Sequence, residues 1–218
     1  MNLARELVRQ GVSRAVATPH RGRLVRYSSL QEVKEKFREL KGALEEEGIP
    51  LEIYPGFEVF LNMETLGEME ALGRELSLAG GRYFLVEFPF HFIYPNWEYL
   101  LLKIKEMGFR PIVAHPERYA YILSNPSILE RMVSLGALAQ VNAESLAGTY
   151  GGEVRFFSRE CFRRGLCHIM ASDAHGVSGR PPLVHRALEE LEEVLDGETL
   201  EEVLIKRPAA VIGEDGDG

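Results

Sequence analysis

Residues 111–119 read Pro-Ile-Val-Ala-His-Pro-Glu-Arg-Tyr, an apolar run that ends on an imidazole. Alternate residues of a strand face opposite sides. Ile112, Val113 and Ala114 leave neither side polar, which predicts a strand buried on both faces, as in a parallel sheet with helices outside. Phe84-Leu85-Val86-Glu87 repeats the pattern with a carboxylate in the terminal place, and Ile169-Met170-Ala171-Ser172-Asp173-Ala174-His175 supplies both types.

Working outward from these segments, strands are predicted at 14–18, 51–54, 83–88, 111–114, 137–142 and 168–172. Amphipathic helices alternate with them. Leu30, Val33, Phe37, Leu40 and Leu44 recur at helical spacing, as do Trp97, Leu100, Leu101 and Ile104, and Leu183, Ala187, Leu188, Leu191 and Leu195. Sustained strand–helix alternation predicts an α/β barrel or a doubly wound sheet. Leu3, Ala4, Leu7 and Val8 already share a helix face, with Gly11 as its stop. A chain of βα units starts on a strand, so the expectation is that a first strand is missing.

The 218 residues, 45% hydrophobic and 27% charged, suit one domain, placed at 1–212, followed by a disordered tail at 213–218. A net charge of -8 argues against nucleic acid as a partner. No run of apolar residues is long enough to insert in a membrane. The opening lacks the basic, apolar and small-residue order of a signal peptide, so the expected location is cytoplasmic. Cys161 and Cys167 read as buried packing thiols rather than a disulfide. Neither has an Arg six residues on, so thiolate attack on a phosphate ester is excluded by pattern.

Six ligand-type residues fall at or beyond five predicted strand ends: His20, Glu58, Glu87, His115, Asp173 and His175. Parallel barrel strands bring such ends together on one face. Mixed imidazole and carboxylate donors suit zinc, manganese or iron, and bridging carboxylates suit clusters. In an extended Asp173-x-His175 both side chains point the same way. A lone His or Glu at a strand end is more often structural; six together are not readily explained so. His91, His168 and His185 are read as structural, although His91 lies in an aromatic loop near the expected pocket. Arg118 and Arg180 follow ligands closely and suit a bidentate clamp on phosphate oxygens. Arg21, Arg23 and Arg26 form a basic loop, either solvated or the lip of a phosphopeptide groove.

Thr18-Pro19-His20, Gly56-Phe57-Glu58, Val86-Glu87-Phe88, His115-Pro116-Glu117-Arg118-Tyr119, Ser172-Asp173-Ala174-His175 and Gly179-Arg180-Pro181-Pro182 resemble the polymerase-and-histidinol-phosphatase superfamily. They are most similar to its bacterial manganese-dependent protein-tyrosine phosphatases of capsule and exopolysaccharide operons. The resemblance implies a distorted (β/α)7 TIM-like barrel holding a divalent metal cluster, manganese first, with zinc or iron as alternatives. It implies that Glu58 bridges two metals, with Glu87 and His115 completing one of those sites and Asp173 binding at the other. His20 and His175 would hold a third metal, and Arg118 and Arg180 the phosphoryl group. Water activated at the metals would attack phosphorus in line, without a phosphoenzyme. The implied substrate is a phosphotyrosine peptide or kinase tail, with a homo-oligomer left open.

Members of the family begin with a strand bearing His-x-His and a following acidic ligand, and neither occurs here. The expectation is therefore a weak or inactive chain. The alternatives are a small-molecule phosphatase acting on a histidinol-phosphate-like ester, or a non-catalytic regulatory module.

Overall fold

The computed structural model describes residues 1–22 and 29–213, and the strand pairings among them are parallel. In chain order the strands are β1 (Arg14–Ala17), β2 (His20–Arg21), β3 (Glu52–Pro55), β4 (Glu58–Phe60), β5 (Tyr83–Glu87), β6 (Arg110–Ala114), β7 (Leu138–Asn142) and β8 (Ile169–Ala171). β1 pairs with β3, and the larger sheet runs β2-β4-β5-β6-β7-β8. Helices fill the connections, among them Asn2–Arg9, Leu30–Glu46, Met63–Leu72, Trp97–Glu106, Ser127–Ser134, Gly152–Arg163 and Val184–Glu192. This is the parallel α/β architecture that the alternation predicts, with successive strands as neighbours from β4 to β8. Arg23 and Arg26 of the basic loop, and residues 214–218 of the tail, lie outside the described residues.

The expected strands at 14–18 and 51–54 form as β1 and β3, and each is followed by a short strand that was not expected, β2 and β4. Arg14 pairs with Glu52 at an offset of 38 residues, and His20 pairs with Glu58 at the same offset. β2 and β4 therefore continue the β1–β3 pair across a shared bend. Pro19 lacks the N–H for a ladder there. Gly56, opposite Thr18 at that offset, is the close approach on the other strand, where an added Cβ would come within 2.8 Å of Val16 and 2.9 Å of Leu78. Glu58 was expected to follow a strand, and it opens β4 instead. The bend is what moves it onto the larger sheet.

The central strands are buried on both faces, and the period of two sorts their side chains. Phe84, Val86, Val113, Ala139 and Val141 join the large core beneath the helices. Leu85, Ile112, Ala114, Leu138 and Ile169 form a separate cluster on the opposite face. A third cluster, Ala4, Leu7, Leu44, Leu51 and Ile53, ties the first two helices to β3. Helix Leu30–Glu46 starts at a capping box, in which Ser29 Oγ accepts the Glu32 N–H at 3.2 Å and Glu32 accepts the Ser29 N–H at 2.6 Å. Its apolar stripe is only partly covered, with Leu44 buried and Leu40 exposed.

Tyr119 locks the end of β5 to the segment after β6. Its ring is fully buried and its hydroxyl accepts the Phe88 N–H at 2.9 Å. Tyr119→Phe leaves that buried donor without its acceptor, so an expected loss of about 1–3 kcal/mol follows. A fall of several degrees in thermal midpoint measures it; an unchanged midpoint would show that the bond contributes nothing.

Candidate metal centre

Glu87 ends β5 on the same face as Leu85, two residues earlier, and so turns away from the helices. Glu58 pairs with Leu85 across the β4–β5 ladder, and His20 pairs with Glu58 across β2–β4. Register thus carries all three to one side. Among the described residues, His20, Glu58 and Glu87 each bring one ligand-type atom to within 4.8 Å of the others.

His115 reaches the same place by a different route. Simple alternation puts it on the outer face with Val113, but its backbone takes a left-handed conformation, φ 34°. Non-glycine residues visit that region at a cost, and functional sites are where such strain accumulates. Its Nε2 lies 3.0 Å from Glu58 Oε1 and 3.6 Å from Glu87 Oε1. The Phe90 ring stacks on the imidazole with centroids 5.5 Å apart. Burial opposes protonation of His115, but Glu58, Glu117 and Glu87 outweigh it, and the pKa is raised.

Beside this group lies a second one. Asp173 Oδ2 pairs with the Arg180 guanidinium, accepts the Asn142 side-chain amide at 2.6 Å, and stands 3.8 Å from Arg118 Nη1. Arg180 Nε also lies 3.3 Å from Glu144 Oε2, which accepts the Tyr150 hydroxyl at 2.6 Å. Arg118 lies over two rings, 5.0 Å from the centroid of Phe90 and 4.6 Å from that of Tyr150. The His20 and His175 rings, 6.0 Å apart, link the two groups.

The extended Asp173-x-His175 segment expected from the sequence is not what forms. β8 stops at Ala171, and Asp173 has φ 45°. The backbone turns, so His175 Nδ1 comes back to 2.9 Å from the Asp173 carbonyl and 3.7 Å from its carboxylate. The two residues share a site through a turn rather than through strand alternation. His175 is exposed, as are His91 and His185, whereas His168 is half-buried at the start of β8.

The donor set fits a divalent cation. Glu58, Glu87 and His115 are 4%, 1% and 2% exposed. Two carboxylates at that depth remain ionised only when paired with positive charge or a metal. Two carboxylates and two imidazoles within reach of one another are the donors that manganese, zinc or iron takes. The cluster adjoins a cavity of about 1320 Å³ whose apolar wall includes Leu7, Ile53, Leu85, Ile112 and Ile169. Cys161 and Cys167 are buried free thiols, and burial raises the Cys167 pKa well above its ordinary value. They take no part.

Sequence reasoning missed Asn142, Glu117 and Glu144. Asn142 ends β7 just as Glu87 ends β5, so the strand-end rule reaches it once amides are admitted with acids and imidazoles. Glu117 is fully buried, accepting the Asn142 backbone N–H at 3.1 Å and the Ser145 hydroxyl at 2.6 Å. Its place between Pro116 and Arg118 gives no hint of that burial.

The sequence matches the family described as capsular polysaccharide synthesis, CpsB/CapC, over residues 1–213. It is 37% identical to the tyrosine-protein phosphatase YwqE of Bacillus subtilis over 199 residues, covering 91% of this chain and 78% of that protein. It is 26% identical to the tyrosine-protein phosphatase CpsB of Streptococcus pneumoniae, covering 96% of this chain and 88% of the relative. Among solved structures, one from the work on YwqE and CpsB as metal-dependent tyrosine phosphatases superposes with a TM-score of 0.90 at 34% identity, covering 97% of this chain and 85% of that one. With strand-end ligands, fold and sequence in agreement over nearly its whole length, the chain belongs to the CpsB/CapC family.

Proposed function

We propose that this chain is a metal-dependent phosphoesterase that hydrolyses phosphotyrosine on the tail of a bacterial tyrosine kinase controlling capsule or exopolysaccharide synthesis. The observation that carries the reading is the convergence of His20, Glu58 and Glu87, with His115 against Glu58, beside two guanidinium groups. The names of the related proteins YwqE and CpsB support the substrate class. In this reading His20, Glu58, Glu87, His115, Asp173 and His175 hold a divalent cluster, with manganese as the proposed metal. When bound, such cations supply Lewis acidity at phosphoryl oxygens and lower the pKa of water.

The chain's own groups do the positioning. Arg118, held over Phe90 and Tyr150, presents a guanidinium whose orientation is fixed before substrate arrives. Arg180 is aimed by Glu144 and neutralised by Asp173. Asp173 would also hold a cation when one is bound, and Arg180 would then be free to bind the phosphoryl oxygens. Among the described residues no helix is long and apolar enough to cross a membrane. In this reading the enzyme acts on kinase tails in the cytoplasm.

Turnover with Mn²⁺ on a phosphotyrosine peptide, compared with histidinol phosphate, tests the substrate class. Faster hydrolysis of histidinol phosphate would replace this reading with the small-molecule one. Arg180→Ala is expected to lower kcat by roughly 10²-fold, the loss seen when one donor to a developing oxyanion is removed. Metal content by elemental analysis should hold, because the substitution removes a competitor for Asp173. Loss of metal in that variant would mean that Arg180 maintains the site rather than contacting substrate.

A further inference from the structure

At the opposite end of the sheet lies a second cavity, of about 430 Å³. Tyr83 and Arg110, the first residues of β5 and β6, Leu138, the first of β7, and His168, just before β8, line it from the sheet. Glu202, Lys206 and Arg207 of the C-terminal helical segment line the other side. A five-residue strand spans on the order of 13 Å, so this cavity is a strand's length from Glu87.

Its chemistry is one-sided. Arg110, Lys206 and Arg207 outnumber the two carboxylates beside them, Glu202 on the cavity wall and Glu201 at 3.6 Å from the Lys206 ammonium, in a chain whose net charge is -8. Both guanidinium groups are held in place. Arg110 Nε donates to the Gly136 carbonyl at 3.2 Å. Arg207 Nη1 donates to the His168 carbonyl at 3.3 Å, and its Nε lies 3.3 Å from Glu202. These contacts use part of each five-donor fork and leave the rest.

His168 adds a directed donor. Its Nδ1 accepts the Ala139 backbone N–H at 3.2 Å. An imidazole that accepts at Nδ1 carries its hydrogen on Nε2. Burial, then Arg207 and Arg110, push its pKa down to about 4. The ring is therefore neutral near pH 7, with its tautomer fixed by the backbone of β7.

We propose that this cavity is a binding site for a small phosphate-bearing anion, held by Arg110, Lys206, Arg207 and the Nε2–H of His168. A tetrahedral dianion accepts hydrogen bonds from several directions at once, which matches two guanidinium groups, an ammonium and a ring N–H converging on one space. The volume also leaves room for an organic body beside the Tyr83 ring.

The test is histidine-labelled NMR of the protein loaded with diamagnetic Zn²⁺, titrated with inorganic phosphate against chloride at constant ionic strength. Expected are saturable shifts of the His168 ring signals at millimolar phosphate, and a weakening of at least tenfold in Arg207→Gln. Arg180→Ala, altered at the metal end, should retain the response. Should Arg207→Gln fail to fold, Lys206→Ala takes its place, with at least a several-fold weakening expected. Titration with phenylphosphonate separates the sources: tighter binding than phosphate reads an ester with a ring on Tyr83, and equal binding reads free phosphate. Absence of a phosphate response, an equal response to chloride, or an undiminished response in the folded cavity variants would overturn the assignment.

Discussion

Glu58→Gln is expected to lower turnover on a phosphotyrosine peptide by on the order of 10³-fold or more, about 4 kcal/mol of transition-state stabilisation. Its two oxygens face different imidazoles: Oε1 is 3.0 Å from His115 Nε2, and Oε2 is 3.8 Å from His20 Nδ1. That places one charge between two imidazoles. Glutamine keeps the shape and one acceptor but removes the charge that attracts a cation. Saturating Mn²⁺ should therefore raise the thermal midpoint of the parent chain and not of the variant, since a ligand present at 100 times its Kd adds about 2.7 kcal/mol. A variant that keeps both its turnover and its Mn²⁺-dependent midpoint would remove Glu58 from the ligand set.

The same site predicts opposite pH trends with and without metal. In the metal-free protein the folded pKa of His115 lies above its ordinary value. Its protonated form then adds stability that is fully present below about pH 6.5, and this is lost as pH rises through the folded value. A bound cation needs the neutral ring, so metal affinity grows over that interval. Urea midpoints from pH 6 to 9 should fall without metal and hold or rise with it. Parallel curves would mean that metal and proton do not compete at His115.

Much of this centre was legible because burial on both faces leaves a strand few polar residues, and those at its end stand out. Glu87 and His115 are such residues after Phe84-Leu85-Val86 and Ile112-Val113-Ala114. Two things were not legible. Alternation says where a side chain points only while the backbone stays extended, and His115 and Asp173 both leave that region. The short strands β2 and β4 beyond Pro19 and Gly56 were also missed, because a bend shared by neighbouring strands appears in sequence only as a gap. Glu117 was passed over on different grounds. A carboxylate beside an arginine looks like surface charge, and its burial depends on the helix Gly152–Arg163 and the turn Ala143–Leu146, which pack from far along the chain.

Glu117 is where that hidden burial carries the largest structural consequence. One oxygen accepts both the Asn142 N–H and the Ser145 hydroxyl, while Oε2 is buried without a hydrogen-bond partner among the described residues. Burial raises its pKa, with His115 and the two donors opposing. An acid whose folded pKa is raised contributes stability at low pH and loses it as pH climbs from the unfolded value near 4.3 through the folded one. Glu117→Ala strands two buried donors at about 1–3 kcal/mol each, an expected loss of roughly 2–6 kcal/mol. Glu117→Gln keeps an acceptor at Oε1 and cannot ionise, so it should lose less and shed that part of the pH dependence. The effect reaches the metal end as well, because Asn142, whose backbone Glu117 holds, donates its side-chain amide to Asp173. Glu117→Ala should therefore lower both the urea midpoint and kcat, with Glu117→Gln closer to the parent in each. If the two variants lose stability equally, the carboxyl acts through its charge rather than through the hydrogen bonds it accepts, and the link from Glu117 to Asp173 fails with it.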